Sequence, residues 1–532
     1  MQTTDVPAPE HDAPRAPSAA AAPLEIELKL AISPEDARKL SRLFLVKTAA
    51  TGRAVTRRMH SVYYDTPDFA LRAQRKGLRL RREGSRWVQS LKTAGSVEGG
   101  LHQREEHERP VPAQLLDYSA LTQWGLAELI ADPAQRARLQ PVFTCDFTRT
   151  TRRLAPTSGA QIELCVDRGT IMAGAAAEPL GEIELELKAG APQVLIDFAL
   201  QLIEHIPLRL EPRSKAERGY ALAEQRVAAP VRATAPALEP NMNLTAALRG
   251  VTFSCLAHLQ ANEAGTIAAT DPEYLHQARV ALRRLRSAFS VFRRAFPRAA
   301  YEDVLVELAW LGEQLGPARD WDVFVLTTLP QLARAFGEDA AMQALMRSAE
   351  LVRAAAGRQA GEAIGSRRYT ALLLGLNGLF CREPWLALPD EEAAELRARP
   401  LPQFAAQMLS QHQRKVMKCG RKHEQLDAGG LHRLRIEIKK LRYASDFFSA
   451  LYERKAVRAY AAALAALQEL LGTLNDAATV DRLCGVLREG DADASYREAL
   501  GAVRGWAAAT ARDHLEQLPA AWKRLREVEP FW

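Results

Sequence analysis

The chain has 532 residues, 47% apolar and 25% charged, enough for two or more ordinary globular domains. A net charge of +7 calls for an anionic partner, with nucleic acid, polyphosphate and anionic lipid all admissible. No run of about 18 apolar residues occurs, which argues against a transmembrane helix, and six scattered cysteines make neither a metal spacing nor a disulfide framework, as expected in a reducing cytoplasm.

Residues 1–22 are acidic and Pro/Ala-rich, lack the basic start and apolar core of a signal peptide, and read as a disordered leader. Glu25-Ile26-Glu27-Leu28-Lys29 follows. In a strand alternate side chains share a face, so Glu25, Glu27 and Lys29 point one way and Leu24, Ile26, Leu28 and Leu30 the other. Ser33-Pro34-Glu35-Asp36 has the cap, proline and acids of a helix start, with the helix running to about Val46. Met59–Pro67 reads as a strand closed by a turn. Gly77–Arg82 sets Arg79 and Arg81 on one face and Leu78 and Leu80 on the other, with Trp87–Lys92 as its hairpin partner.

Arg104, Glu106 and Glu108 alternate in the same way. Phe143–Arg153 is a further strand in which either Arg149 and Arg153 or Arg152 face inward. Gln161–Asp167 puts Glu163 and Asp167 on one face, and Glu182–Lys188 repeats the opening pattern with Glu182, Glu184, Glu186 and Lys188. A helix from about Pro192 to Ile206 and the segment Ser214–Tyr220 complete the region. About eight strands suffice to close a small barrel. Isolated interior charges cost several kcal/mol, so a lumen lined by both signs must pair them, bind metal or bind ligand.

The Glu25-x-Glu27-x-Lys29 strand, Tyr64-Asp65-Thr66-Pro67, the Gly77–Arg81 strand, Glu182–Lys188 and Ser214–Tyr220 together resemble the CYTH family of triphosphate tunnel metalloenzymes. The resemblance implies hydrolysis of a terminal phosphoanhydride, with inorganic triphosphate as the preferred substrate and Mg²⁺ or Mn²⁺ as cofactor. It implies Glu25, Glu27, Glu184 and Glu186 as metal ligands, with Asp167 beside them, and Glu25, Glu27 and Lys29 as the catalytic set. Lys29, Arg79, Arg81, Lys92, Arg149 or Arg152, and Lys215 would hold the triphosphate, and Glu106 and Glu108 would orient bases or bind metal. The same family includes class IV adenylyl cyclases and thiamine triphosphatases, and a non-catalytic polyphosphate scaffold is the alternative of another class.

Residues 223–241 are rich in Ala, Pro and Val and read as a linker; from Asn243 the pattern is helical. This half contains a repeat. His276, Arg279, Arg283 and Arg286 recur 156 positions later as His432, Arg435, Lys439 and Arg442, and Leu315-Gly316…Arg319-Asp320 recurs as Leu471-Gly472…Asn475-Asp476 at the same offset. Steps of 3, 4 and 3 make each set one helical stripe, and like charges at these spacings repel by a few tenths of a kcal/mol per pair. Two copies of a costly stripe suggest a shared polyanion, with Arg414, Lys415, Lys418, Arg421 and Lys422 extending the surface. Asp320 and Asp476 read as helix caps or partners of these bases. Little aromatic interleaving is present, so no specific nucleic-acid site is expected.

The repeated stripes resemble the CHAD family, which implies that they bind inorganic polyphosphate. The expectation is therefore an α+β multidomain chain. An N-terminal antiparallel eight-stranded β tunnel with helices occupies residues 23–222, and an all-α domain of two repeated helical bundles occupies residues 242–532. No membrane association is expected, and the location would be cytoplasmic, near polyphosphate granules.

Overall fold

The computed structural model describes residues 24–532 apart from 94, 99, 337–338 and 491–495. The leader lies outside the described residues. Ten strands form one antiparallel sheet: β1 Leu24–Ala31, β2 Val55–Asp65, β3 Gly77–Glu83, β4 Arg86–Lys92, β5 Ser96–Glu98, β6 Leu101–Val111, β7 Gln140–Leu154, β8 Gln161–Ala173, β9 Ala176–Ala189 and β10 Arg209–Leu210. Their order is β10-β1-β9-β8-β7-β2-β3-β4-β6-β5, and an additional β1–β6 pairing closes eight of them into a ring. β5 and β10 lie outside the ring, on β6 and β1 respectively.

The ring separates charge from apolar bulk because every strand alternates. Leu28, Leu30, Leu164, Ile183 and Leu185 turn outward into a core with the helix Gln193–Ile203. On the other side Val62, Leu78, Leu80 and Leu91 pack beneath Leu121, Leu126 and Ile130 from the segment between β6 and β7. The expected helix after Ser33 is capped as predicted but splits into Pro34–Leu40 and Phe44–Ala49, since Leu43 takes an extended ψ of 136°. Ser214–Tyr220 opens the helix Lys215–Ala223, fixed by a reciprocal capping box between Ser214 and Glu217. Gly219 lets this helix lie on the sheet, because a Cβ there would meet the Phe143 ring at 2.1 Å.

The second half is helical. The helices Pro272–Phe292 and Ala428–Phe448 each have 21 residues, follow Asp N-caps 156 positions apart, and carry the two stripes. They meet side by side, with Arg283 Nε donating to Tyr443 Oη at 3.3 Å and Phe292 packed on Phe448. Residues 223–241 are fastened rather than loose. Both backbone groups of Val231 bond the Asn262 side chain at 3.0 Å, Arg284 donates to the Thr234 carbonyl at 2.8 Å, and Leu238 is buried. Thr370 Oγ1 donates to the Leu208 carbonyl, and one apolar core runs from Ile196 and Leu202 into Leu376 and Tyr369. The two halves thus share a core. No helix among the described residues is long and apolar enough to cross a membrane.

Candidate functional site

A cavity of about 1820 Å³ takes in the interior of the ring and the gap beside residues 226–231 and 257–265 of the helical half. Cross-strand register places its lining in rows, because directly paired residues share a face. Glu27, Glu186, Glu163 and Arg153 form one row across β1, β9, β8 and β7. Lys29, Glu184, Cys165 and Thr151 form the next, and Glu182, Asp167, Arg149 and Arg57 the one after. Arg79 and Arg81 enter from β3, Lys92 from β4, and Glu106 and Glu108 from β6; all five line the cavity.

Within the tunnel these charges satisfy one another in two networks. In the deeper one, Lys29 Nζ lies 2.5 Å from Glu184 and 2.9 Å from Glu27, and Lys215 Nζ lies 2.6 to 2.8 Å from Glu182, Glu184 and Asp167. Arg149 grips Asp167 through two nitrogens, at 2.8 and 2.6 Å, and also reaches Glu184. Burial opposes charge here, yet the Glu184, Glu27 and Glu182 carboxylates hold the Lys29 ammonium above the ordinary lysine range. Against the same burial, Lys29 holds Glu27 down to about 2. Glu182 goes the other way: burial pushes its carboxyl up to about 7 despite Lys215 and Lys29, and its Oε2 makes no hydrogen bond, with Arg218 Nη1 3.8 Å away. In the second network Lys92 bridges Glu25 at 2.7 Å and Glu106 at 2.9 Å, while Arg79 donates to Ser90 and Glu106.

The inward set read from sequence is therefore brought together, with one correction. Arg152 faces out of the tunnel: it pairs in register with Leu164, a core residue, whereas Arg149 and Arg153 pair with the inward Asp167 and Glu163. Strand parity selects the first of the two options. Tyr64-Asp65-Thr66-Pro67 is structural: buried Asp65 accepts from the Thr66, Leu71 and Arg72 amides and from Tyr220 Oη. Glu182 and Glu163 share the inward face with residues named from sequence, but their neighbours come only with the register.

The carboxylates offer hard oxygen donors suited to Mg²⁺ or Mn²⁺. Ligand oxygens of Asp167, Glu182 and Glu184 lie within 4.8 Å of one another, a group able by geometry to hold an ion. Lys29, Lys215 and Arg149 lie against this group, so Asp167 and Glu184, expected as ligands, also hold the tunnel bases in place. The Glu27–Glu186–Glu163 row is less compensated. Its cationic partners are Lys29 and Lys188, and Glu163 makes no ion pair among the described residues. The row offers three carboxylates from adjacent strands as candidate ligands.

In the helical half the two stripes converge. Arg283 acts electrostatically on His276, Arg279, Arg319, Arg435 and Lys439, so both repeats contribute to one cluster. Burial, then Arg283, pushes Arg279 down to about 10; burial, then Arg435 and Arg283, pushes Lys439 down to about 8. Burial and Arg319 push His276 down to about 4, so it is neutral near pH 7. Arg279 Nε is buried without a partner, and Gly316 leaves room for its guanidinium, a Cβ there falling 3.1 Å from Nη1. Arg286 and His432 are exposed, and Arg442 lies toward Asp446. Asp320 and Asp476 sit inside helices, not at caps; Asp320 pairs with Arg482 at 2.6 Å and acts on Arg279, and Asp476 acts on Arg435 and Lys439, the second of the two expected roles. Arg319 is a member that the stripe spacing does not include, because it comes from the neighbouring helix Glu302–Val323.

Residues 23–220 match the CYTH domain, and residues 251–484 match the CHAD domain. The chain carries a CYTH domain followed by a CHAD domain. It is 37% identical over 203 residues to an inorganic triphosphatase of Haemophilus influenzae, a match covering 38% of this chain and 56% of that protein. The CHAD domain of the plant Ricinus communis is similar at 34% identity, covering 57% of this chain and 99% of that one, with a TM-score of 0.50. The CYTH domain thus supplies the closed ring and the CHAD domain the paired bundles.

Proposed function

We propose that the CYTH tunnel hydrolyses inorganic triphosphate with Mg²⁺ or Mn²⁺, and that the CHAD domain binds inorganic polyphosphate through its central basic cluster. The observation that carries the first reading is the shared lining: six inward bases, Lys29, Arg79, Arg81, Lys92, Arg149 and Lys215, line one cavity together with the carboxylates of Glu25, Glu27, Glu163, Glu184 and Glu186. The Haemophilus relative, an inorganic triphosphatase, agrees with it.

Glu27, Glu186 and Glu163 would hold the ion. When bound, such an ion neutralises phosphoryl charge and makes water a better nucleophile. The chain's own part is positioning. Arginines offer paired donors to phosphoryl oxygens and the lysines act as point charges. A triphosphate entering the tunnel exchanges the acid–base pairs seen here for phosphate–base pairs. Water oxygen bonds to the terminal phosphorus, the bridging P–O bond breaks, and pyrophosphate leaves with its charge on Arg and Lys. Glu25 can take the water proton more readily than Glu27. Burial and, against Lys92, the neighbouring Glu27 and Glu106 push its carboxyl up, while Glu27 is held at about 2.

In the CHAD domain, half-buried bases from both repeats, with Arg279 Nε making no hydrogen bond, favour a polyanion. A cytoplasmic location near polyphosphate stores belongs to this reading.

The test is phosphate release from triphosphate, ATP, thiamine triphosphate and long polyphosphate, with Mg²⁺, Mn²⁺ and neither. Triphosphate should be preferred and hydrolysed only with metal. Glu27→Gln should lower turnover by about a hundredfold or more, the size of a lost charged transition-state contact. Cyclic AMP from ATP, or no turnover of any substrate, would replace the reading with a cyclase or a binding scaffold.

A further inference from the structure

Residues 208–215 form a short segment that the tunnel and the CHAD domain both hold. On the CHAD side, Thr370 Oγ1 donates to the Leu208 carbonyl at 2.9 Å, and the Arg209 guanidinium lies 3.4 Å from Glu263. Glu263 opens the helix Glu263–Ala268, and Tyr369 Oη donates to its other carboxylate oxygen at 2.6 Å. On the tunnel side, Leu210 pairs with Leu30, and the Glu211 amide donates to the Lys29 carbonyl at 3.0 Å. Lys29 thus sits where β1 exchanges one neighbour for another: its amide bonds Gly100, just before β6, and its carbonyl bonds Glu211, just after β10. Shortly after Glu211 comes Lys215, the second ammonium of the deep network.

The path from the CHAD contacts to Lys215 is short and bonded. Leu210 is buried against Gly100, where a Cβ would meet its Cδ2 at 2.9 Å. Glu211 accepts from the Arg213 amide and guanidinium at 3.1 Å, and Ser214 caps the helix that Lys215 opens. Lys29 and Lys215 both touch Glu184 Oε1, at 2.5 and 2.8 Å, so this segment ties together two ammonium groups that share one carboxylate. Glu263 is an unfavourable residue for merely joining two domains. It is 5% exposed, and burial pushes its carboxyl up to about 7 against Tyr369 and Arg209. Apolar residues of similar volume often serve a buried contact as well or better. The rim pairs Arg367–Glu204 and Arg382–Asp197 join the same two domains in solvent and touch no part of the segment. A buried carboxylate and a buried hydroxyl spent on two successive residues of this segment point to geometry.

We propose that Glu263 and Thr370 of the CHAD domain are positioning residues for the tunnel: by holding Leu208 and Arg209 they set the spacing of Lys29 and Lys215 that a bound triphosphate meets. This rests on the reading that the tunnel hydrolyses triphosphate. Neither residue touches the substrate; both act through the 208–215 segment.

The experiment compares full-length wild type with E263Q, T370V, E263Q/T370V, T370S and the rim control R367Q/R382Q, reading triphosphate kinetics and hydrogen exchange of peptides spanning residues 208–215. E263Q/T370V should lose about tenfold in kcat/KM, since a displacement of about 1 Å at a reacting site costs up to about a hundredfold. The 208–215 amides should exchange at least about tenfold faster in it. T370S keeps the hydroxyl and should behave as wild type, and R367Q/R382Q should too, since exposed pairs contribute little. The decisive readout is the K215Q background. With one ammonium gone the spacing no longer matters, so E263Q/T370V should cost less than about threefold there, a departure from additivity that residues acting through one another show. Unchanged kcat/KM and exchange in E263Q/T370V overturn the proposal. So does a full tenfold loss on top of K215Q, or an equal loss in R367Q/R382Q, since either marks general loosening of the interface. Should the double variant fail to fold, E263Q and T370V alone, with T370S as rescue, carry the same comparisons. If wild type hydrolyses no triphosphate, the tunnel reading falls, and exchange at 208–215 alone then decides whether the two residues hold the segment.

Discussion

The tunnel and the CHAD cluster both bury bases, and burial has opposite consequences in the two. In the tunnel every inward ammonium of the deep network touches carboxylates at 2.5 to 2.9 Å, and Lys29 and Lys215 are held more firmly protonated than a free lysine. In the cluster Arg279, Arg283, Arg435 and Lys439 face one another, and Lys439 falls to about 8. Desolvation is unfavourable in both places; the local counter-charge decides the sign. The tunnel is therefore a self-neutralised site whose ligand must displace acids from bases. The cluster carries more bases than the nearby Asp320 and Asp476 offset, and an anion relieves it directly.

Removing one tunnel partner should do the most damage. Glu184 touches Lys29, Lys215 and Arg149, so Glu184→Gln leaves buried positive charge uncompensated. It should cost about 3–5 kcal/mol, as breaking a buried pair does, read from urea unfolding followed at the CYTH domain. A loss below about 1 kcal/mol would show that the deep network is redundant.

The cluster should respond in the reverse sense. Arg279→Gln with Lys439→Gln removes like-charge repulsion and should leave stability equal to or slightly above wild type, while long polyphosphate binds at least about tenfold more weakly, roughly 1.4 kcal/mol. Marked destabilisation would show that attraction to Asp320 and Asp476 outweighs that repulsion.

A smaller effect separates the regions by pH. Lys439 titrates near 8 when free, below its unfolded value, so its stability contribution is complete above the unfolded pKa and is lost as pH falls through about 8. Polyphosphate binding should raise that pKa, so binding at pH 9 should take up protons, visible in calorimetry across buffers of different ionisation enthalpy. Lys439→Arg should abolish most of that uptake. Glu182 offers the tunnel counterpart: its raised pKa contributes stability below the unfolded carboxylate value, lost as pH rises through about 7. Glu182→Gln should flatten the stability profile between about pH 5 and 8, monitored by urea unfolding at fixed pH.

The smallest effect is at Arg152. Because it faces outward beside Leu164, Arg152→Gln should change stability by no more than about 0.5 kcal/mol and leave triphosphate kinetics unchanged, while Arg149→Gln should impair both.

The sequence by itself determined which faces carry charge. A period of two along β1, β3 and β9 and steps of three and four along the stripe helices are local geometry, legible in any Glu-x-Glu-x-Lys or Arg-x-x-x-Arg run. It also determined the repeat, since Asp271 and Asp427 begin matching helices 156 positions apart. Only the tertiary structure decided the partners. Lys29 meets Glu184 across 155 residues. Parity turns Arg149 inward and Arg152 out, Arg319 joins the cluster from another helix, and β1 closes the ring on β6. Each depends on register between distant segments, which is set by core packing on the outer faces and not by any local pattern.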